Sequence, residues 1–324
     1  VSDRGELTVL VLAAPDDPSL RRLEALPAGV RVVVGREPAD FGAALRRAEV
    51  VLHCSGGRKR LEPLLAAAPR VRWVHSRSAG VENILFPALV NGELQLTNAR
   101  GAYSRSLAEW VIASVLFFAK DLRRLVRSQA EGRWDPFDPE EVAGRRLGIV
   151  GYGDIGRAVA RQARALGMTV SALRRRAAAG GDGLADEVLG PERLLDLVGR
   201  SDYLVVAAPI TADTRGLVGR AAIAAMKPTA VLVNVGRGPV VDEPALIEAL
   251  SERRIRGAAL DVFDQEPLPA GHPFYRLDNV LLSPHSADQV AGWREGAVDV
   301  FVDHVRRYLR GEPLPNLVDK TQGY

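Results

Sequence analysis

Three short segments carry side chains suited to reducing a carbonyl that sits beside a carboxylate. Asn234-Val235-Gly236-Arg237-Gly238-Pro239 presents a guanidinium, Asp261 to Pro267 presents Glu266, and Ser283-Pro284-His285-Ser286 presents an imidazole. A guanidinium fork can grip a carboxylate with paired hydrogen bonds and polarise the adjoining carbonyl. An imidazole can hand a proton to the carbonyl oxygen and take it back in the reverse direction. A carboxylate beside that imidazole orients it and favours its imidazolium form. Singly, each has a plainer reading: a structural histidine, a surface arginine, a turn glutamate before Pro267. Together they follow three successive strand-like apolar runs, where ligands bind in open α/β sheets, and that joint placement favours the catalytic reading.

Such a reduction also needs a hydride, which a cofactor must bring. The apolar run Leu147-Gly148-Ile149-Val150 leads into Gly151-Tyr152-Gly153-Asp154-Ile155-Gly156 and then a helical pattern. Gly151 suits the tight turn, Gly153 the approach of backbone amides to a pyrophosphate, and Gly156 the packing of helix on strand. A bare GxGxxG is a weak signal; a strand before it and a helix after it make it specific. The next strand ends Leu173-Arg174-Arg175-Arg176, where an acidic residue would bind the adenosine ribose of NAD. Arginines there suit a ribose 2′-phosphate, so NADP is expected over NAD, with NAD still open.

The elements that must position these groups alternate along the chain. Leu7–Leu12, Val30–Val34, Val50–His53, Val71–His75 and Leu94–Leu96 read as strands, with Ser19–Leu26, Phe41–Arg47 and Leu61–Ala67 as helices between them. One long helix is expected over Ser104 to Glu131. A second series has six strands, Arg146–Val150, Thr169–Leu173, Tyr203–Ala207, Ala230–Val235, Ala258–Val262 and Val280–Ser283. Ile155–Leu166, Pro191–Val198 and Glu243–Ser251 read as helices among them, and a last helix spans roughly Asp288 to Arg310. The alternation predicts an α/β protein with two doubly wound parallel sheets.

Bulk properties exclude other classes. The 324 residues are 47% hydrophobic and 26% charged, an ordinary globular balance with room for two domains. Net charge is +3, and of 43 basic residues only Lys59, Lys120, Lys227 and Lys320 are lysine. Acidic residues are interspersed, with no long basic run, so no nucleic-acid partner is expected. The longest mainly apolar run, Trp110 to Ala119, is too short to span a bilayer, and the N-terminus lacks a leader pattern. A cytoplasmic location and no membrane partner are expected. The lone Cys54, after Val50–His53, reads as a small core residue, and no metal site is expected.

With these motifs in this order, the sequence resembles the D-isomer-specific 2-hydroxyacid dehydrogenase family over nearly its whole length. Thr97-Asn98 through Ala108-Glu109 and Ala208-Pro209-Ile210-Thr211 with Thr214 extend the match. The resemblance implies a Rossmann cofactor domain, residues 100–285, inserted into a discontinuous flavodoxin-like substrate domain, residues 1–99 and 286–324. It implies reduction of a small 2-keto acid to the D-2-hydroxy acid, and the reverse, with a glyoxylate/hydroxypyruvate reductase-like branch favoured. Arg237, Glu266 and His285 then stand as the catalytic residues. Gly151, Gly153, Asp154, Ile155, Gly156, Arg174, Arg175, Ala208, Pro209, Thr214, Val235, Gly236, Asp261 and His285 would line the cofactor, with Asp261 on the nicotinamide amide. Ser78, Ala79 and Gly80, with Arg237, would hold the substrate carboxylate. A homodimer built on the long helix is also implied. Formate dehydrogenases are disfavoured, because they carry glutamine where Glu266 stands. Dehydrogenase-like corepressors resemble the same family and offer a different reading, an interaction protein that uses the cofactor as a binding switch. Trp293 and Tyr103 are open between pocket and packing roles.

Overall fold

Continuous apolar runs suit parallel strands covered on both faces. In the computed structural model, which describes residues 6–175 and 182–324, the first five such runs are β1 (Leu7–Leu12), β2 (Val30–Gly35), β3 (Val50–His53), β4 (Trp73–Ser76) and β5 (Gln95–Asn98). All pairings are parallel, in the order β2-β1-β3-β4-β5, which is the flavodoxin-like order. Every residue of β1, β3 and β4 is buried. Two of the crossovers are wound more tightly than the sequence suggests. Pro18–Ala25 and Pro38–Arg46 are 3₁₀ segments rather than α-helices, the first capped by Asp17 and the second kinked at Gly42 with φ 48°. Only α1 (Gly57–Ala67) and the single turn α2 (Pro87–Asn91) are α-helical here.

The expected long helix is two. α3 (Ser104–Ala119) ends where Asp121 turns left-handed, at φ 45°, and α4 (Leu122–Ala130) begins with the Asp121 carboxylate accepting from the Arg124 amide. Local side-chain capping thus breaks a run whose apolar pattern continues through the junction. Then follow β6 (Arg146–Val150), α5 (Asp154–Ala165), β7 (Thr169–Leu173), β8 (Glu187–Leu189), α6 (Leu194–Arg200), β9 (Tyr203–Val206), α7 (Arg220–Ala225), β10 (Val231–Asn234), α8 (Glu243–Ser251), β11 (Gly257–Leu260) and β12 (Val280–Leu282). They make one parallel seven-stranded sheet, β12-β11-β10-β9-β6-β7-β8. Six strands were expected; the seventh, β8, is a three-residue edge strand paired only to β7. The order reverses between β6 and β9, the switch point at which Rossmann sheets bind dinucleotides.

The chain closes with α9 (Trp293–Leu309), which belongs to the first sheet's unit. Its Val298, Phe301, Val302 and Val305 join Leu23, Trp73 and the β1 side chains Leu7, Val9 and Val11 in one buried cluster, and Arg22 pairs with Asp299 at 2.7 Å. The two compact units are Val1–Tyr103 with Val290–Tyr324, and Ser104–Gln289. Both are α/β with parallel sheets. No helix among the described residues is long and apolar enough to cross a membrane. Cys54 is enclosed, and burial pushes its thiol up to about 12, which suits packing rather than reactivity.

Candidate active site

The glycine turn leaves β6 at Gly151, whose φ is 99° and whose amide bonds Leu173 at 3.0 Å. A Cβ there would lie 2.5 Å from the Ala208 amide nitrogen, so the turn rests directly on the loop after β9. Gly156 is equally constrained, since a Cβ would lie 2.5 Å from the Gly151 carbonyl oxygen. Gly153, the N-cap of the twelve-residue α5, is the opposite case: a Cβ there meets no atom within 4 Å. Open space at the positive end of a helix, floored by a glycine turn, is a cradle for a pyrophosphate, so the residues present fit a dinucleotide. Asp154 and Ile155 begin α5 beside it.

Of the other expected cofactor residues, Ala208 lies against this turn. Ala208 and Val235 are buried. A Cβ on Gly236 would lie 2.6 Å from the Ala208 carbonyl oxygen. Thr214 spends its hydroxyl proton on the Pro209 carbonyl, at 2.6 Å, and accepts from the Thr211 amide, so it shapes its own turn. Arg174 and Arg175 follow β7 and are exposed, the Arg174 amide tied to Leu189 at 3.0 Å. Arg176 lies outside the described residues.

His285 and Glu266 meet. Nδ1 of His285 lies 2.6 Å from Oε2 of Glu266, and the other carboxylate oxygen accepts from the Phe263 amide at 3.0 Å. An ionised carboxylate only accepts, so Nδ1 carries the hydrogen and Nε2 is the atom that can give or take a proton. His285 itself has φ 51° and donates its amide to the Asp261 carbonyl at 2.9 Å. The Asp261 carboxylate, 1% exposed, fixes the same loop. Its Oδ1 accepts from the Ser283 hydroxyl at 2.6 Å and from the Ser286 and Ala287 amides at 2.9 and 3.1 Å. Arg237 follows β10, with Nη1 on the Gly236 carbonyl at 2.7 Å.

One acidic residue escaped the sequence reading. Burial raises the half-buried Asp288 carboxyl above its ordinary value, against the pull of His285 and Arg237 and with the push of Asp261. Those three site residues therefore share one electrostatic neighbourhood with it. The available signal was its position three residues after His285.

In the first unit, the Ser78-Ala79-Gly80 loop leaves β4. Ser78 donates its amide to the Ser76 hydroxyl at 3.2 Å, and Asn98 donates to the Ala79 carbonyl at 2.6 Å. Among the described residues the Ala79 and Gly80 amides donate to nothing, which leaves them available to an anion. Tyr103 donates its hydroxyl to the Arg77 carbonyl at 2.6 Å and packs against Trp293, with ring centroids 6.1 Å apart.

Comparison with known proteins bears on all of this. Residues 112–287 match the family described as D-isomer specific 2-hydroxyacid dehydrogenase, NAD binding domain. A glyoxylate reductase of Korarchaeum cryptofilum is 36% identical over 263 residues, 78% of each chain. A D-3-phosphoglycerate dehydrogenase of Methanocaldococcus jannaschii is 32% identical over 297 residues, 90% of this chain, which spans only 55% of that longer protein. Among solved structures, a D-isomer specific 2-hydroxyacid dehydrogenase of Xanthobacter autotrophicus Py2, in complex with NADPH and MES, superposes with a TM-score of 0.83 at 32% identity, covering 99% of this chain and 100% of that one. The glycine turn and these matches agree: the chain is an enzyme of the D-isomer specific 2-hydroxyacid dehydrogenase family and carries its NAD-binding domain.

Proposed function

We propose that this enzyme reduces a small 2-keto acid to the D-2-hydroxy acid, and runs the reverse, with NADPH preferred to NADH. The observation that carries the reading is the 2.6 Å contact between His285 and Glu266, with the far carboxylate oxygen held by the Phe263 amide. When bound, the nicotinamide cofactor supplies the hydride to the carbonyl carbon. The carbonyl oxygen takes its proton from Nε2 of His285, which is left neutral, with Nδ1 still donating to Glu266. In oxidation the neutral imidazole takes the hydroxyl proton back. Arg237 binds the substrate carboxylate and polarises the carbonyl. Asp261 would hold the nicotinamide amide, its described donors all reaching Oδ1 and leaving Oδ2 to accept.

Arg174 and Arg175, with no carboxylate at the end of β7, support NADP, as does the NADPH bound by the Xanthobacter relative. We assign cofactor binding to residues 100–285 and substrate binding to residues 1–99 and 286–324. Glyoxylate and hydroxypyruvate are the first substrates to try, the former because a relative is named for it. The exposed Leu122, Leu125, Val126 and Trp134, on α4 and just beyond it, support a homodimer, and we place the enzyme in the cytoplasm. The test follows NADPH absorbance with glyoxylate, hydroxypyruvate, pyruvate and bulkier keto acids. Turnover on the order of one per second or faster supports the reading. No turnover with any keto acid would overturn it.

A further inference from the structure

The main-chain segment from the Phe263 amide to the Asp264 amide is a hub that joins separate parts of the site. At its start the Phe263 amide donates to Glu266 at 3.0 Å, and Glu266 holds His285 at 2.6 Å. Gly238, the residue after Arg237, packs backbone to backbone against it: a Cβ on Gly238 would lie 2.0 Å from the Phe263 carbonyl carbon. Any movement of this peptide therefore moves the Arg237 turn and the Glu266–His285 pair together.

Something outside the site holds that peptide still. The Asp264 amide donates to Oε2 of Glu243, the first residue of α8, at 3.2 Å. Oε1 of Glu243 lies 3.2 Å from Nε2 of His272, and both side chains are 16% exposed. The tautomer of His272 follows from its other nitrogen. Nδ1 accepts from the Phe274 amide at 3.4 Å, so the ring hydrogen sits on Nε2 and points at Glu243. Tilted ring contact of His272 with Phe274, 5.0 Å between centroids, and of Phe274 with Phe263 at 6.2 Å, fixes the ring further. Both oxygens of Glu243 are thus committed, one to a locked imidazole and one to the hub.

We propose that Glu243, locked by His272, is a positioning residue for catalysis: it holds the Asp264 amide, and with it the main chain through Phe263, so that Glu266 and the Arg237 turn keep their working geometry. It touches neither substrate nor cofactor. The inference rests on the acid–base reading of Glu266 and His285, so its test includes that reading as a separate arm.

Four variants of the full chain are compared with wild type: Glu243→Ala, Glu243→Gln, Glu266→Ala and Glu243→Ala with Glu266→Ala. Readouts are kcat and KM for glyoxylate with NADPH, and the NADPH dissociation constant from fluorescence titration. Glu243→Ala is expected to lower kcat about tenfold or more while the NADPH dissociation constant stays within about twofold, as expected for displaced groups around an intact cofactor cradle. Glu243→Gln keeps one acceptor and should fall between. Because Glu243 acts partly through Glu266, its removal should cost clearly less once Glu266 is alanine than it does alone, a non-additivity that a merely structural defect would not show. Unchanged kcat in Glu243→Ala beside a large loss in Glu266→Ala overturns the proposal and leaves the acid–base reading standing. So does full multiplication of the two losses. Wild-type kcat in Glu266→Ala defeats the acid–base reading and this inference with it. Should Glu243→Ala fail to fold, His272→Phe keeps the ring contact and removes the lock. A smaller loss in kcat is then expected, and unchanged kcat overturns the proposal.

Discussion

Glutamine at position 266 keeps the shape of the side chain and removes one acceptor, and the geometry tells what that must cost. Both carboxylate oxygens face donors: the Phe263 amide at 3.0 Å and Nδ1 of His285 at 2.6 Å. An amide offers one acceptor and one donor. If its oxygen stays on Phe263, its nitrogen confronts Nδ1, and the imidazole hydrogen must move to Nε2, where the proton has to be accepted in oxidation. Misplacing a catalytic histidine's tautomer in this way costs about 10⁴-fold in the serine-protease triad. If the amide flips, His285 is satisfied and the Phe263 N–H is left against an NH₂ group, at about 1–3 kcal/mol. The chain takes the cheaper route, and the 34% exposure of Glu266 lets water soften it. A loss of about 10- to 100-fold in kcat is therefore expected in Glu266→Gln, up to the lower end of the usual range for general acid–base catalysis. It should appear in both directions, in NADPH consumption with keto acid and in NADPH formation with the hydroxy acid. Glu266→Asp, which keeps two acceptors on a shorter stem, should recover part of it. A Glu266→Gln enzyme within threefold of wild type in both directions would refute the pairing as a catalytic device.

Three further outcomes follow from other parts of the molecule. Arg174→Asp should shift the NADPH-to-NADH ratio of kcat/KM by about 10- to 100-fold toward NADH, the worth of a charge-assisted phosphate contact, and an unchanged ratio would remove the 2′-phosphate argument. Gly153→Ala should leave the melting temperature nearly unchanged, since its methyl meets no protein atom, yet weaken NADPH binding tenfold or more by entering the cradle; equal affinity would place the pyrophosphate elsewhere. Burial lowers His53 to about 4 and His75 well below its ordinary value, so both are neutral when folded and take up protons on unfolding. The stability they contribute is complete above about pH 6.5 and falls as pH drops toward 4, at about 1.4 kcal/mol per pH unit for each. Urea midpoints between pH 6.5 and 5 should show it, with His53→Asn flattening the slope, and a flat profile in the wild type would contradict it.

The strands were the most legible part of the fold, and for a physical reason. Parallel strands buried on both faces must be apolar throughout, so β1, β3, β6 and β9 announce themselves as runs. β8 does not, because an edge strand of three residues buries only Val188 fully. The crossovers read less well. Over eight or nine residues, apolar spacing hardly separates a 3₁₀ turn from an α turn, and Pro18–Ala25 and Pro38–Arg46 took the tighter form. The break at Asp121 depends on one carboxylate capping one amide, which the continuing apolar pattern conceals.

The site divides along the same line, between what residue type states and what only geometry states. Arg237, Glu266 and His285 could be picked out because their side chains are chemically distinctive and stand at strand ends. Thr214 could be picked out for its position but not for its task, since its hydroxyl turns inward to the Pro209 carbonyl. Glu243 and His272 are as distinctive in type as Glu266 and His285, yet they lie on α8 and before a 3₁₀ turn, with nothing in their spacing to join them. What joins them to the site is a main-chain amide, that of Asp264, and a main-chain contact, that of Gly238 with Phe263. Backbone groups are alike at every position, so contacts made through them leave no trace in residue type except the glycine that permits close approach. Gly238 was the one visible mark of that junction. Its meaning depends on Phe263 lying against it, 25 residues further along the chain, and only folding brings that neighbour.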